Sequence, residues 1–103
     1  MNSFMLTGRV LGNLESSVTS NGVRIVNFIL EVDKESKGKD SLATETFRIT
    51  CFGNVADYAI ANLKFGSMTG VNGVLSANNY TKDGKTYYTP QAIAKKLTVM
   101  SNY

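Results

Sequence analysis

The spacing of apolar residues along this chain follows a two-residue period that a helical period interrupts once. Apolar side chains alternate with polar ones in Phe4–Leu11, Val23–Val32 and Thr44–Phe52, the pattern of half-buried strands. From Asn54 to Leu63 the apolar positions fall instead on one helical stripe. Extended patterns return from Ser67 onward. The chain is therefore predicted to contain three strands, one short helix and then further strands.

Several local signals predict where these elements end or bend. Gly12–Gly22 is rich in Ser, Thr and Asn, which predicts a turn region. Asn54 is predicted to be the helix N-cap. Gly70 and Gly73 predict a bulge or a close backbone approach in the fourth strand. Pro90 lacks the N–H that a central ladder uses, so it is expected to bend or interrupt the last strand.

A hairpin arm is predicted where Lys82-Asp83-Gly84-Lys85 separates two β-prone runs. Almost no bulky aliphatic residue follows Leu75 in the segment Gly73–Thr89, so this arm is expected to project into solvent. It carries five aromatic or cationic side chains, Tyr80, Lys82, Lys85, Tyr87 and Tyr88. Flat rings interleaved with cations suit the stacking of nucleobases and the neutralisation of phosphates. The arm therefore indicates nucleic-acid binding.

The residue types that the chain lacks argue against catalysis and against a cofactor. There is no histidine, and the single cysteine, Cys51, has the apolar parity of a strand, so we expect it to be buried. No nucleophile with a neighbouring base is visible, and the usual metal sites are unavailable. We therefore predict that the protein is not an enzyme and binds neither metal nor cofactor.

The length and the charge of the chain limit the number of domains and the kinds of partner that it can have. A chain of 103 residues that is 43% hydrophobic fits a single domain over residues 1–103. The net charge of +3 permits a polyanionic partner without requiring one. No apolar run is long enough for a signal peptide or a membrane span. With one thiol and no possible intramolecular disulfide, a cytoplasmic location is expected.

The order strand, strand, strand, helix, strand, strand is that of the OB-fold. We therefore predict an all-β protein, a five-stranded Greek-key barrel with one short helix between strands three and four. Local sequences then resemble the bacterial and phage-type single-stranded DNA-binding protein family, from about residue 4 to residue 100. The segments that carry the resemblance are Leu6–Gly12, Thr19–Gly22, Asn27–Val32, Glu45–Gly53, Ala56–Leu63, Lys64–Ser67, Val71–Leu75 and Tyr80–Thr89.

The resemblance implies sequence-nonspecific binding of single-stranded DNA (ssDNA) in replication, recombination and repair, without catalytic activity. It also implies a homotetramer, although the sequence leaves a dimer open. The two-sided apolar strand Val23–Val32 independently indicates a central strand or a strand covered by another subunit.

The family's stacking aromatics correspond to Phe52 and Tyr80, and both have the solvent-facing parity of their strands. Tyr88 is expected either to contact a base or to brace Tyr80, whereas Tyr87 is expected to be packed. The cations predicted to contact phosphates are Arg9, Arg24, Lys34, Lys37, Lys39, Arg48, Lys82 and Lys85. Arg48 has the strongest support because it shares a strand face with Phe52; for the lysines, a merely solvated surface is the alternative.

Two departures from the family pattern are visible. Thr46 stands where the family often has a tryptophan, and the chain contains no tryptophan. The sequence ends at Ser101-Asn-Tyr103 without the acidic tail that recruits replication proteins in bacterial members. We therefore expect a phage-like or otherwise tailless member, or a truncated chain.

Two other functions remain open from the sequence alone. A primosomal-type adaptor would use the same fold mainly for protein–protein contacts. An RNA-binding domain of the cold-shock kind is disfavoured by the inserted helix and by the lack of a dense aromatic run on the early strands.

Overall fold

The computed structural model describes residues 1–34 and 43–101. Within these ranges the chain forms seven strands and one helix. The strands are β1 Phe4–Val18, β2 Arg24–Asp33, β3 Thr44–Phe52, β4 Met68–Ala77, β5 Tyr80–Lys82, β6 Lys85–Tyr87 and β7 Pro90–Ser101, and the helix is α1 Asn54–Asn62.

Five of the strands close into a barrel in the order β1-β2-β3-β7-β4, and β5 and β6 form a separate hairpin. β1 closes the barrel by pairing antiparallel with both β2 and β4. β3 and β7 pair in parallel, and the remaining neighbours pair antiparallel. With α1 between β3 and β4, this topology confirms the predicted five-stranded OB-fold barrel. β2 pairs with β1 and β3, but its outer face is not covered within this chain, since Val23 and Ile29 are exposed; cover by another subunit stays a prediction.

The barrel interior is filled by the inward parity of the strands. Val10, Val26, Leu30 and Ile49 are fully buried, and Ala56 and Ala59 of α1 join the same core. The alternation predicted for β2 and β3 is thus confirmed. No helix in the described part of the chain is long and apolar enough to cross a membrane.

Cys51 lies in this core as a free thiol, which confirms its predicted burial. Desolvation by burial raises the pKa of the Cys51 thiol to about 12. The thiol is therefore protonated at neutral pH, whereas a cysteine nucleophile reacts as the thiolate. Its role is to pack.

The prediction of a turn region from Gly12 to Gly22 is wrong for most of its length. β1 continues to Val18 and pairs again with β2 at Glu15 and Asn27 after an irregularity that begins beyond Leu11. Gly12 adopts a φ of 69° there, a conformation that glycine accepts at no steric cost. The strand therefore bulges and resumes pairing, and the actual turn covers only residues 19–22.

The start of α1 differs from the prediction, whereas the close backbone approach predicted in β4 is present. Gly53, not Asn54, is the N-cap, and no side chain caps the helix start. At Gly73 the register of β4 against β7 shifts, and an added Cβ would lie 2.0 Å from the Ile93 carbonyl oxygen. The predicted close approach is confirmed at Gly73, while Gly70 has only ordinary side-chain neighbours. β7 begins at Pro90, as the predicted interruption requires.

Candidate nucleic-acid interface

The outer face of β3 presents one aromatic ring and one cation. Phe52 is 39% exposed and Arg48 is also exposed, whereas Ile49 and Cys51 between them point into the core. In the β2–β3 ladder Phe52 lies opposite Ile25, and Arg48 lies opposite Ile29. The predicted shared face of Arg48 and Phe52 is confirmed.

The predicted hairpin is formed by β5 and β6. Asp83 and Gly84 have φ values of 53° and 76°, the positive values that a two-residue hairpin turn of type I′ requires. Lys82 and Lys85 face each other beside this turn, and Tyr80 faces Tyr87 at the other end. Every side chain from Tyr80 to Tyr87 is exposed, so the arm projects from the barrel as expected.

The two facing tyrosines of the arm stack on each other. The ring centroids of Tyr80 and Tyr87 are 5.0 Å apart, with planes inclined by 17°. The Lys85 ammonium lies 5.4 Å from the centroid of the Tyr87 ring. Tyr80 is still 52% exposed, so it offers surface to a base while Tyr87 supports it from behind.

Tyr88 does not brace Tyr80, because Tyr87 occupies that position. The Tyr88 side chain is 75% exposed and follows the end of β6. Contact with a base, the other role considered from the sequence, stays a prediction. Tyr87 was expected to be packed, but the structure leaves it exposed on the arm, where its ring stacks on Tyr80.

The base of the arm is fixed by two sets of hydrogen bonds. The Asn78 N–H donates to the Thr89 carbonyl oxygen over 3.0 Å, and the Thr89 hydroxyl donates to the Asn78 carbonyl oxygen. Near the end of β4 the Asn2 side chain forms two hydrogen bonds with the Leu75 backbone. It donates to the Leu75 carbonyl oxygen over 2.6 Å and accepts from the Leu75 N–H over 2.9 Å. The N-terminal segment thus holds β4 where β4 leads into the arm.

Among the predicted phosphate contacts, Arg24 is held by other residues. Its Nε donates to Asp57 of α1 over 3.0 Å, and its Nη1 donates to Ser16 of β1 over 2.8 Å. A phosphate at this guanidinium would have to compete with the Asp57 carboxylate. The geometry gives Arg24 a structural role in joining the helix to two strands, and a phosphate contact there stays a prediction.

Arg9 lies in acidic surroundings. It faces Glu31 in the β1–β2 ladder, and both residues line a surface pocket with Asp33 and Met68. Two carboxylates beside the guanidinium lower the local potential that would attract a phosphate. Arg9 is thus a weaker candidate than Arg48, and its contact with a phosphate also stays a prediction.

The remaining predicted cations are lysines. Lys34 is exposed just after β2, and Lys82 and Lys85 are exposed at the arm tip. Lys37 and Lys39 lie outside the described residues.

The structure adds two cations that the sequence reasoning missed. Lys95 and Lys96 are both exposed where the β4–β7 register shifts. Two adjacent lysines in an alternating strand would direct one charge into the core unless a bulge intervened. The dipeptide itself was therefore an available signal for both the bulge and the basic surface.

The exposed parts of β3 and of the arm carry residue types that can stack bases and neutralise phosphates. Exposed rings on β3 and on the arm are accompanied by cations, and the buried thiol of Cys51 is remote from solvent. Among the residues that the structure describes, no three acidic, cysteine or histidine side chains come together as a metal site.

Solved structures with the same fold include two single-stranded DNA-binding proteins. A Plasmodium falciparum SSB in complex with ssDNA superposes with a TM-score of 0.81 at 19% identity, covering 98% of this chain and 96% of that one. A deletion mutant of the Thermus aquaticus single-stranded DNA binding protein gives 0.83 at 19% identity, covering 98% and 51%. At this identity the likeness concerns the fold alone.

Sequence relatives are more informative. The Bacillus cereus single-stranded DNA-binding protein is 33% identical over 94% of this chain and 58% of its own length. That of Thermotoga maritima is 27% identical over 96% of this chain and 73% of its own length. The chain thus spans less than two thirds of the Bacillus relative. The model of the single-strand binding protein family matches residues 1–100, and the chain therefore belongs to that family.

Proposed function

We propose that this protein binds single-stranded DNA without sequence preference, by stacking bases on Phe52 and Tyr80. The observation that carries the proposal is the exposure of both rings, one on the barrel and one on the arm, each accompanied by cations. Apolar rings of this size are usually buried in a small domain. Membership of the family and the names of its relatives support the same function.

The two kinds of contact supply different parts of the binding free energy. Each base stacked on an aromatic ring contributes about 1–3 kcal/mol, largely independent of base identity. Each neutralised phosphate makes the affinity depend on salt, with a log–log slope of about 0.7 on single strands. Tyr88 is proposed as a third ring, and Arg48, Lys34, Lys82 and Lys85 as phosphate contacts, because all of them are exposed.

The wider role follows from this binding activity. We place the protein in DNA replication, recombination and repair as a non-catalytic, cytoplasmic protein whose residues 1–103 act as one domain. The single closed barrel supports one domain, and the burial of Cys51 argues against a cysteine nucleophile. An adaptor role is not favoured, because the relatives are named as single-stranded DNA-binding proteins.

A homo-oligomer, most simply a tetramer with a dimer as the alternative, is part of the proposal. Exposed apolar side chains on the barrel support it, since Met5 on β1, Leu75 on β4 and Met100 on β7 are each at least half exposed. Covering such side chains is a common reason for association. Sedimentation equilibrium would give the mass of the assembly, and a monomer at micromolar concentration would contradict it.

Intrinsic fluorescence provides a direct test of DNA binding. The chain has five tyrosines and no tryptophan, so its emission comes from tyrosines, three of which, Tyr80, Tyr87 and Tyr88, lie on or beside the arm. Titration with oligo-dT at low salt is expected to quench this emission, and duplex DNA of equal length is expected to compete poorly. Absence of binding at low salt would contradict the proposed function.

A further inference from the structure

Three polar side chains form a hydrogen-bonded chain across the outer face of the barrel. The Gln91 Nε2 of β7 donates to the Thr50 hydroxyl of β3 over 3.3 Å, and that hydroxyl donates to the Asn27 Oδ1 of β2 over 2.7 Å. Thr50 is only 3% exposed, and both amides are half-buried. This amide chain, Gln91–Thr50–Asn27, links three adjacent strands.

The direction of the bonds determines what the amide chain offers to a ligand. A hydroxyl carries one hydrogen, so Thr50 gives it to Asn27 and accepts from Gln91. The Asn27 Nδ2 is left as a donor and the Gln91 Oε1 as an acceptor, neither with a partner among residues 1–34 and 43–101. No buried side-chain nitrogen or oxygen in these ranges lacks a partner, so both free atoms are accessible to solvent.

The amide chain lies directly beside one of the proposed stacking rings. Asn27 faces Thr50 in the β2–β3 ladder, and the next outward pair is Ile25 with Phe52. Residues two apart on a strand are separated by about 7 Å. A strand of DNA that stacks a base on Phe52 therefore brings its neighbouring nucleotides over the free amide ends.

Bases in single-stranded DNA have hydrogen-bonding groups that a matching protein surface can use. The Watson–Crick edge of every base carries at least one donor and one acceptor, and proteins bind such edges when bases are unpaired. In a duplex these groups are already occupied. A protein surface that offers both a donor and an acceptor can therefore bind any of the four bases while excluding paired ones.

We propose that the Asn27 Nδ2 and the Gln91 Oε1 hydrogen-bond to the Watson–Crick edges of unpaired bases next to Phe52. This site is sequence-tolerant and selects for unpaired bases, and Thr50 acts as a positioning residue that orients both amides. The inference rests on the proposed binding of single-stranded DNA and adds a second recognition element to stacking.

A chemically modified oligonucleotide tests the base-edge contact. Thymidine methylated at N3 loses its N–H donor and has a blocked edge, but it retains its ring and its phosphate. The natural protein is expected to bind fully N3-methylated oligo-dT at least about fivefold more weakly than oligo-dT, the effect of losing one or two hydrogen bonds. Thr50→Val and Gln91→Leu are each expected to reduce this ratio towards one.

Thr98→Val is a matched control, because Thr98 is an exposed β7 residue outside the amide chain. It should leave the ratio unchanged. Thermal melting verifies that each variant folds, and the ratio measured on the natural protein decides the question even if Thr50→Val does not fold.

The outcomes separate this inference from the function on which it rests. Equal binding of both oligonucleotides by the natural protein would overturn the base-edge contact and leave DNA binding intact. Binding of neither would overturn the proposed function itself. If Thr50→Val and Gln91→Leu both kept the affinity ratio of the natural protein, the inference would be overturned. It would also be overturned if Gln91→Leu changed the oligomeric mass and left the ratio unchanged, because the amides would then have another role.

Discussion

The two proposed stacking rings have very different support. Phe52 belongs to a long strand of a closed barrel, and its neighbours Cys51 and Ile49 are fully buried. Tyr80 belongs to a hairpin with strands of three residues, and its ring stacks on that of Tyr87. A two-stranded hairpin is marginally stable by itself. The barrel face is thus fixed by the core of the whole protein, whereas the arm depends on a few local contacts.

A substitution in the barrel core is expected to have the largest effect, because the core supports the barrel face and not the arm. Ile49→Ala removes a fully buried side chain between Arg48 and Thr50, and it is expected to lower the free energy of unfolding by about 2–5 kcal/mol. Urea denaturation measures this change. Ile60→Ala, at an exposed helix position, should stay within about 0.5 kcal/mol. Equal losses in the two variants would contradict the assigned core.

Removing either ring compares the two surfaces directly. Phe52→Ala and Tyr80→Ala are each expected to weaken oligo-dT binding by about 1–3 kcal/mol, without loss of the folded state. Titrations at fixed salt measure the affinity. Phe65→Ala provides the control, because Phe65 lies in the connection between α1 and β4 and belongs neither to β3 nor to the arm. Unchanged affinity in both test variants would remove the stacking mechanism.

The support of the arm is tested at Tyr87. Tyr87→Ala removes the ring stacked on Tyr80 and should weaken binding by about 0.5–1.5 kcal/mol, the value of an aromatic pair, while Tyr87→Phe should bind normally. Phe52 on the barrel instead has the aliphatic Ile25 opposite it in the β2–β3 ladder. If Tyr87→Ala were as damaging as Tyr80→Ala, Tyr87 itself would have to contact a base.

The smallest expected effect separates two arginines. Arg48→Gln is expected to lower the salt slope of binding by about 0.7 with unchanged stability. Arg24→Gln should instead leave the slope unchanged and lower the free energy of unfolding by less than about 1 kcal/mol, since its ion pair with Asp57 is partly exposed to solvent. Affinities measured over a range of salt concentrations, together with urea denaturation, distinguish the two. The opposite assignment of effects would make Arg24 the phosphate contact.

The barrel could be predicted from the sequence, because the burial of strand residues follows the alternation of apolar and polar side chains. In β2 and β3 the inward parity agrees with the observed core at Val26, Phe28 and Ile49. The course of β1 beyond Gly12 could not be predicted, since it depends on pairing with β2 across a bulge. Local composition indicated a turn where tertiary pairing maintained a strand.

The candidate site could be predicted from the sequence only in part. Counting back from the two-residue turn at Asp83 and Gly84 places Tyr80 opposite Tyr87, so this pairing could have been derived. The ion pair of Arg24 with Asp57 joins residues 33 positions apart, and no local pattern indicates it. The Gln91–Thr50–Asn27 chain likewise depends on how three strands align.

The double hydrogen bond between Asn2 and the Leu75 backbone gives the first residues of the chain an experimental use. A dye coupled to the amino group of the exposed Met1 would sit next to the strand that leads into the arm. Its emission would report movement at that junction without any change to the aromatic residues. The same proximity warns that a bulky label there risks disturbing the arm that it is meant to observe.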